Sequence, residues 1–144
     1  MMNILGIEEE ITEEFSMFES WMEKYGFIID LGKELPLIDQ SNKTKQNLIT
    51  GCQSQVWVHA EYLNGKIVFT ADSDAIITKG IIALLIRVLN NQAPKDIIEA
   101  KLDFINNIGL KSHLSPTRAN GLLGMIKQLK SYALVFSLKE NKTT

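Results

Sequence analysis

Residues 56–72 decide the fold: VWVHAEYLNGKIVFTAD. Apolar and polar residues alternate on both sides of Asn64-Gly65, the pair that a two-residue type I′ turn prefers. The segment therefore predicts an antiparallel hairpin. Counting outward from the turn gives one apolar face and one mixed face. The apolar face pairs Tyr62 with Ile67, Ala60 with Phe69 and Val58 with Ala71; the mixed face pairs Glu61 with Val68, His59 with Thr70 and Trp57 with Asp72.

The segment after the hairpin predicts a buried helix. Residues 75–90, AIITKGIIALLIRVLN, are apolar nearly all round, which is typical of a helix at the centre of a domain. Ser73-Asp74 offers an N-cap for this helix. Gly80 would let it approach a neighbouring helix closely.

The rest of the chain predicts further helices. An acid-rich first helix is indicated by the helical spacing of Ile11, Phe15, Phe18 and Met22. A second helix, which ends before Leu35-Pro36, is indicated by Trp21, Tyr25, Ile28 and Ile29. A last helix begins at Ser115-Pro116 and has the apolar stripe Leu122, Ile126, Leu129 and Ala133. Residues 39–50 are polar and predict a surface loop. Two short helical pieces follow Pro94, the second closed by Gly109.

These elements predict one α+β domain over residues 1–144, a small antiparallel sheet covered by helices. The polar tail from about residue 139 is expected to fray.

Composition excludes several classes of protein. The chain is 45% hydrophobic with a net charge of −2, so no overall positive charge favours nucleic acid. No apolar run is long enough to span a membrane, and the N-terminus becomes acidic too early for a secretory signal. One cysteine and two distant histidines predict no metal site, and we expect a cytoplasmic protein.

Cys52 is the candidate for chemistry, because GCQSQVW (51–57) presents the only cysteine at the start of the hairpin. A lone thiol has no resolving partner, but it can hold a group and pass it on by exchange. The alternatives are an inert buried cysteine and a thiol hydrolase. A hydrolase needs a nearby histidine; His59 is too far along the strand, and His113 could approach only through the fold.

Charged residues near these segments have two interpretations each. Asp72, Ser73 and Asp74 form a capping cluster more readily than a pair of acid and base carboxylates. Arg118 falls near the positive end of the last helix, where a cation is unfavourable, so it either faces a partner or an anion or is a solvated surface arginine.

Four motifs resemble the SufE family of sulfur-acceptor proteins. They cover much of the chain between roughly residues 20 and 136: YGFIIDLGKELP (25–36), GCQSQVW (51–57), FTADSDAIITKGIIALL (69–85) and LSPTRANGLLGMI (114–126). The resemblance implies the SufE/IscU-like α+β fold. It also implies an accessory protein with no cofactor or metal of its own, rather than a stand-alone enzyme.

The resemblance also implies site residues and partners. Cys52 would take persulfide sulfur from a PLP-dependent cysteine desulfurase (SufS-like or CsdA-like), stimulate that enzyme and hand the sulfur to an iron–sulfur scaffold. Arg118 would face the partner, and Asp74 would control the cysteine loop. The loop residues that would hold the thiol or meet the partner are Gly51, Gln53, Ser54 and Gln55. We expect two loop positions, inward alone and outward when docked, with Gly51 as hinge; the alternative is an interaction module with a structural cysteine.

Overall fold

The computed structural model describes residues 3–142 and shows an α+β arrangement of six helices and one hairpin in that part of the chain. The hairpin strands are β1 (Val56–Leu63) and β2 (Lys66–Ser73). The helices are α1 (Ile4–Ser16), α2 (Trp21–Lys33), α3 (Ile76–Leu89), α4 (Pro94–Glu99), α5 (Phe104–Asn107) and α6 (Pro116–Lys142). The predicted fold class is confirmed.

The hairpin has the predicted register, with all six predicted pairs in place. Asn64 and Gly65 both have positive φ, 52° and 80°, as a type I′ turn requires. On the apolar face, five of the six paired residues are buried, and Tyr62, near the turn, is 38% exposed. The buried residues are Val58, Ala60, Ile67, Phe69 and Ala71. The alternation in sequence therefore corresponds to an inner and an outer face.

Both edges of the hairpin are covered by loops. Along β2, the Ile38 N–H donates to the Ala71 carbonyl (3.1 Å) and the Ala71 N–H donates to the Pro36 carbonyl (3.0 Å). Along β1, the Ile49 N–H donates to the Val56 carbonyl (2.8 Å). These bonds satisfy strand edges that would otherwise be open to pairing with another chain.

Helix α3 lies at the centre of the core, as predicted, and ten of its fourteen residues are buried. It packs on α2 at a pair of glycines, Gly80 and Gly32. A Cβ on Gly80 would lie 2.2 Å from the Ile28 carbonyl oxygen, so no other residue fits there without moving α2. The close approach predicted for Gly80 is confirmed.

The first helix is shorter than its predicted stripe. α1 ends at Ser16, and a new helix begins after Ser20, whose hydroxyl accepts from the Glu23 N–H (3.2 Å). Phe18 lies in the connection, and Met22 is 84% exposed on α2. The predicted stripe crosses a break between two helices, because a serine N-cap starts the second helix there.

The acidic residues of α1 are not all solvated. Glu8 is 7% exposed and accepts from the Phe104 N–H (3.2 Å). Burial raises the pKa of this carboxyl. Glu14 forms hydrogen bonds with Arg87 of α3.

Two predictions about loops and ends need correction. Residues 39–50 contain two 3₁₀ turns, Gln40–Asn42 and Lys45–Asn47, and bury Ile49, so they are not simply a surface loop. The tail does not fray at residue 139, since α6 continues to Lys142. Tyr62 stabilises this end by stacking on Phe136, with ring centroids 5.6 Å apart. The last two residues of the predicted tail lie outside the described part.

The start of α6 and the close of α5 are as predicted. Ser115 Oγ accepts from the Arg118 N–H (3.3 Å), and Gly109 has a φ of +73° just after α5. No helix within residues 3–142 combines the length and the apolar character needed to cross a membrane.

Candidate functional site

The cysteine loop, residues 51–55, connects the segment that covers the edge of β1, which includes Ile49, to the start of β1 at Val56. Gly51 has a φ of +89°, and no atom lies within 4 Å of where its Cβ would be. The residue is therefore glycine for its backbone conformation and not for lack of space. The role of Gly51 as a hinge stays a prediction.

The Cys52 side chain lies inward and is half-buried against α6. Its Sγ is 3.7 Å from the Gly121 carbonyl oxygen, to which the thiol donates a weak hydrogen bond. Burial raises the pKa of the Cys52 thiol. Both effects favour the protonated thiol over the thiolate, which is the reactive form, so the inward position lowers the reactivity of Cys52.

A cavity of about 40 Å³ lies beside the Cys52 thiol. Three segments line it: Cys52, Gln53 and Ser54 from the loop, Thr78 and Ile81 from α3, and Thr117, Arg118, Gly121 and Met125 from α6. Ile81 and Met125 are fully buried, whereas Gln53 and Arg118 are exposed at the rim. The sulfur atom thus faces a small chamber with an apolar floor and a polar rim.

Arg118 is the one charged residue that lines this cavity. It belongs to the first turn of α6, as its position in the sequence predicted. No ion pair involving its guanidinium is found among residues 3–142. Its charge is therefore available at the mouth of the chamber.

Asp74 anchors the end of the cysteine loop instead of capping α3. Its Oδ1 accepts from the Gln55 N–H (3.0 Å), and its own N–H donates to the Gln55 carbonyl (3.3 Å). The N-cap of α3 is Ala75, with no side-chain cap hydrogen bond. The predicted Ser73-Asp74 cap is wrong, because Asp74 binds the loop backbone and Ser73 Oγ accepts from the Ala75 N–H, which is not a helix cap bond.

Asp72 has a separate, structural set of partners. Its carboxylate lies 2.9 Å from Lys43 Nζ and 3.3 Å from Lys79 Nζ. Burial acts to raise the pKa of Asp72, but the hydrogen bonds from Lys43, Ser73 and Lys79 outweigh it, and the pKa is lowered. Asp72 and Asp74 thus bind different groups, which does not favour a paired acid and base.

Neither histidine lines the Cys52 cavity. His59 Nε2 lies 3.5 Å from Glu61 on β1, and His113 stacks on Trp21 with ring centroids 3.8 Å apart. A thiol hydrolase would need a base beside the sulfur, and the lining residues supply none. Within residues 3–142 no group of three or more histidine, cysteine, aspartate or glutamate side chains is arranged to hold a metal ion.

The structure brings together Cys52, Gln53, Ser54 and Arg118 around one cavity, with Gly51 and Gln55 at the two ends of the loop. Sequence reasoning missed Gly121 and the floor of the cavity. A signal for Gly121 was present, since GLLG (121–124) puts two glycines on one face of a helix.

Comparison with known proteins gives a family match. The sequence model of the family described as "SufE: Fe-S metabolism associated domain" matches residues 9–133. An uncharacterized SufE-like protein of Synechocystis is 36% identical over 132 residues, covering 92% of this chain and 83% of the relative. One from Rhizobium meliloti is 37% identical over 131 residues, covering 87% and 93%.

A plant relative and a solved structure add to this. SufE-like protein 1, chloroplastic/mitochondrial, of Arabidopsis thaliana is 38% identical over 91% of this chain, which spans 36% of that longer protein. The solution structure of a hypothetical protein from Thermus thermophilus superposes with a TM-score of 0.73 at 19% identity, over 88% of this chain and 93% of that one. That likeness shows the fold alone.

Proposed function

The chain belongs to the SufE family, whose domain is associated with Fe-S metabolism, and we propose that its Cys52 accepts the outer sulfur of a persulfide on a cysteine desulfurase. The chain would thereby stimulate the desulfurase and carry the sulfur to an iron–sulfur scaffold. It acts as an accessory carrier and not as an enzyme by itself. The working compartment is a reducing one such as the cytoplasm, because the single thiol has to stay free.

The observation that carries the proposal is the chamber beside the only thiol. A cavity holds one water-sized atom once its volume exceeds about 10–15 Å³, and the cavity here measures about 40 Å³. One added sulfur on Cys52 therefore has room to lie inward, away from oxidants. An inert buried cysteine would have no need of such a space.

The transfer is a thiol exchange that needs no outside oxidant. The Cys52 thiolate attacks the outer sulfur of the desulfurase persulfide, a new S–S bond forms, and the old S–S bond breaks. The desulfurase cysteine leaves as a thiolate, and Cys52 carries the sulfur as a persulfide. The Cys52 proton goes to solvent or to the partner before attack, since no base lines the cavity.

Arg118 and Asp74 also support the proposal. A persulfide anion on Cys52 would lie near the Arg118 guanidinium, which favours the charged form. Asp74 holds the loop end at Gln55 by one side-chain and one backbone hydrogen bond, which restrain the loop in its inward position. We assign both residues to control of loop position and partner contact, together with Gln53 and Ser54.

The test is stimulation of a purified cysteine desulfurase, measured as alanine formed from L-cysteine. We expect the native chain to raise this rate and Cys52→Ser to lose the increase entirely. Thermal unfolding is the control, and the midpoint of the variant should stay close to the native value because the side chain is only half-buried.

The alternative, an interaction module with a structural cysteine, predicts the reverse pattern. Cys52→Ser would then stimulate the desulfurase normally but unfold at a lower temperature, since a hydroxyl would replace a thiol in a partly apolar site. That outcome would contradict the proposed function.

A further inference from the structure

Two glycines form a notch on the face of α6 that meets the cysteine loop. Gly121 and Gly124 are three residues apart, so they lie on the same side of the helix. A Cβ on Gly121 would lie 3.3 Å from Cys52 Sγ, and one on Gly124 would lie 2.8 Å from the Thr50 carbonyl oxygen. We call this pair the glycine notch.

A different part of the chain around Cys52 packs against each glycine. At Gly124 the neighbour is backbone, and 2.8 Å is closer than a Cβ and a carbonyl oxygen can approach, so a side chain would displace residue 50. At Gly121 the neighbour is the sulfur itself, which would have to give by a few tenths of an ångström. The notch thus touches the loop both at the thiol and just before it.

The two glycines do not stabilise α6 itself, so their presence needs another explanation. Glycine inside a helix costs about 1 kcal/mol relative to alanine, so two glycines in α6 weaken it. Gly26 in α2 provides a contrast, because nothing lies within 4 Å of its Cβ position and its backbone is helical. The contacts with the cysteine loop distinguish Gly121 and Gly124 from Gly26.

We propose that the glycine notch is what allows the cysteine loop to lie inward, and that Gly121 and Gly124 are therefore positioning residues that set the reactivity of Cys52. The inference deepens the proposed function, and its meaning as control of sulfur transfer rests on that function. Filling the notch would bias the loop toward its outward position.

The chemical consequence follows from what faces the thiol in the inward position. α6 contributes the Gly121 carbonyl as acceptor and Arg118 as the only charged group; α3 and the loop contribute uncharged side chains. Moving Cys52 outward removes the acceptor and adds water. Both changes favour the thiolate. Moving away from Arg118 acts in the opposite direction, but that side chain is exposed and water screens its charge, so the net result is a larger reactive fraction of Cys52 at a given pH.

The experiment measures alkylation of the isolated chain by iodoacetamide across a pH series, with no desulfurase present. We expect Gly124→Ala to react severalfold faster than the native chain at neutral pH, with its pH–rate profile displaced to lower pH. The alkylation rate of Gly121→Ala should also rise, but by a smaller factor. Its new methyl group would meet the Cys52 side chain, which can move more easily than the backbone of Thr50. Gly26→Ala is the matched control and should react at the native rate.

Equal or slower alkylation in both variants, with native circular dichroism, would overturn the inference. If Gly124→Ala fails to fold, the smaller overlap at Gly121 leaves Gly121→Ala to decide the question in the same way. The outcome is independent of the proposed function: a chain that never receives sulfur can still show the notch effect, and a chain that receives sulfur can lack it.

Discussion

The proposed function requires two properties of Cys52 at different times. Inward, its thiol donates to the Gly121 carbonyl and its pKa is raised by burial, so it resists adventitious electrophiles. Nucleophilic attack requires the thiolate, and therefore water or a partner's cationic groups around the sulfur. We therefore expect the reactivity of this side chain to depend on where the loop places it.

Asp74 is the residue that holds the loop end in place. Asp74→Ala removes the acceptor for the Gln55 N–H, a bond worth about 0.5–1.5 kcal/mol in net terms. We expect faster alkylation of Cys52, because the inward position loses part of its support. Asp74→Asn keeps a carbonyl oxygen at the Oδ1 position and should react at nearly the native rate.

Alkylation of Asp74→Ala at the native rate would show that the Gln55 contact does not restrain the loop. Asp30→Ala serves as a second control, since that carboxylate is 70% exposed and pairs with Lys33 at 3.4 Å, away from the cysteine loop.

At the scale of elements, Arg87 holds α1 against α3. Its guanidinium donates to both carboxylate oxygens of Glu14, at 2.8 and 2.6 Å, and to Glu10 at 2.7 Å. The hydrogen bonds from Arg87 lower the pKa of Glu14, against a smaller opposing effect of burial. A carboxyl whose pKa is lowered by folding stabilises the protein above its unfolded pKa and loses that contribution as pH falls.

Arg87→Met should therefore destabilise the chain most at neutral pH. We expect a loss of about 1–2 kcal/mol at pH 7, because charge-assisted bonds are stronger than neutral ones but this group is partly exposed. The difference from the native chain should shrink as pH falls below the unfolded pKa of Glu14, about 4.5. Urea unfolding across a pH series measures it.

Lys33→Met is the matched control for Arg87→Met. Its ion pair with Asp30 is more than two-thirds exposed on both sides, so the substitution should change stability little at any pH. Asp72 and Glu8 also have shifted pKa values and contribute to the pH dependence of stability. Because both residues are present in every variant, their contributions cancel when two variants are compared. A loss of stability in Arg87→Met that stays constant down to about pH 3 would show that the ionised Glu14 carboxylate is not what Arg87 stabilises.

Elements governed by local patterns could be predicted from the sequence. The hairpin register follows from a two-residue turn and strict alternation, and α6 begins at a serine followed by proline. The end of α1 was predicted too late although a local signal was present, since Ser20 and Glu23 carry the S-x-x-E pattern of a helix start. The partner of Asp74 could not be predicted, because it depends on a contact with Gln55 that a local pattern does not contain.

At the scale of the whole molecule, the site is assembled from segments far apart in sequence. The loop at residues 51–55, the first turns of α3 and the first three turns of α6 meet at one small cavity. Sequence reasoning could name Cys52 and Arg118 from type and position, and the family resemblance supplied Asp74. The cavity itself depends on how α3 and α6 pack, which no single segment specifies. The one-domain organisation and the identity of the partners stay predictions.

The most direct test of the central claim is the mass of the chain after incubation with a cysteine desulfurase and L-cysteine under anaerobic conditions. A chain with one cysteine can carry the added sulfur at only one thiol, so intact mass and the Cys52 peptide report the same event. We predict a gain of one or more sulfur atoms on the Cys52 peptide, reversed by a reductant and missing from Cys52→Ser. An unchanged mass in the presence of an active desulfurase, or the same gain in Cys52→Ser, would contradict the claim that this thiol carries the sulfur.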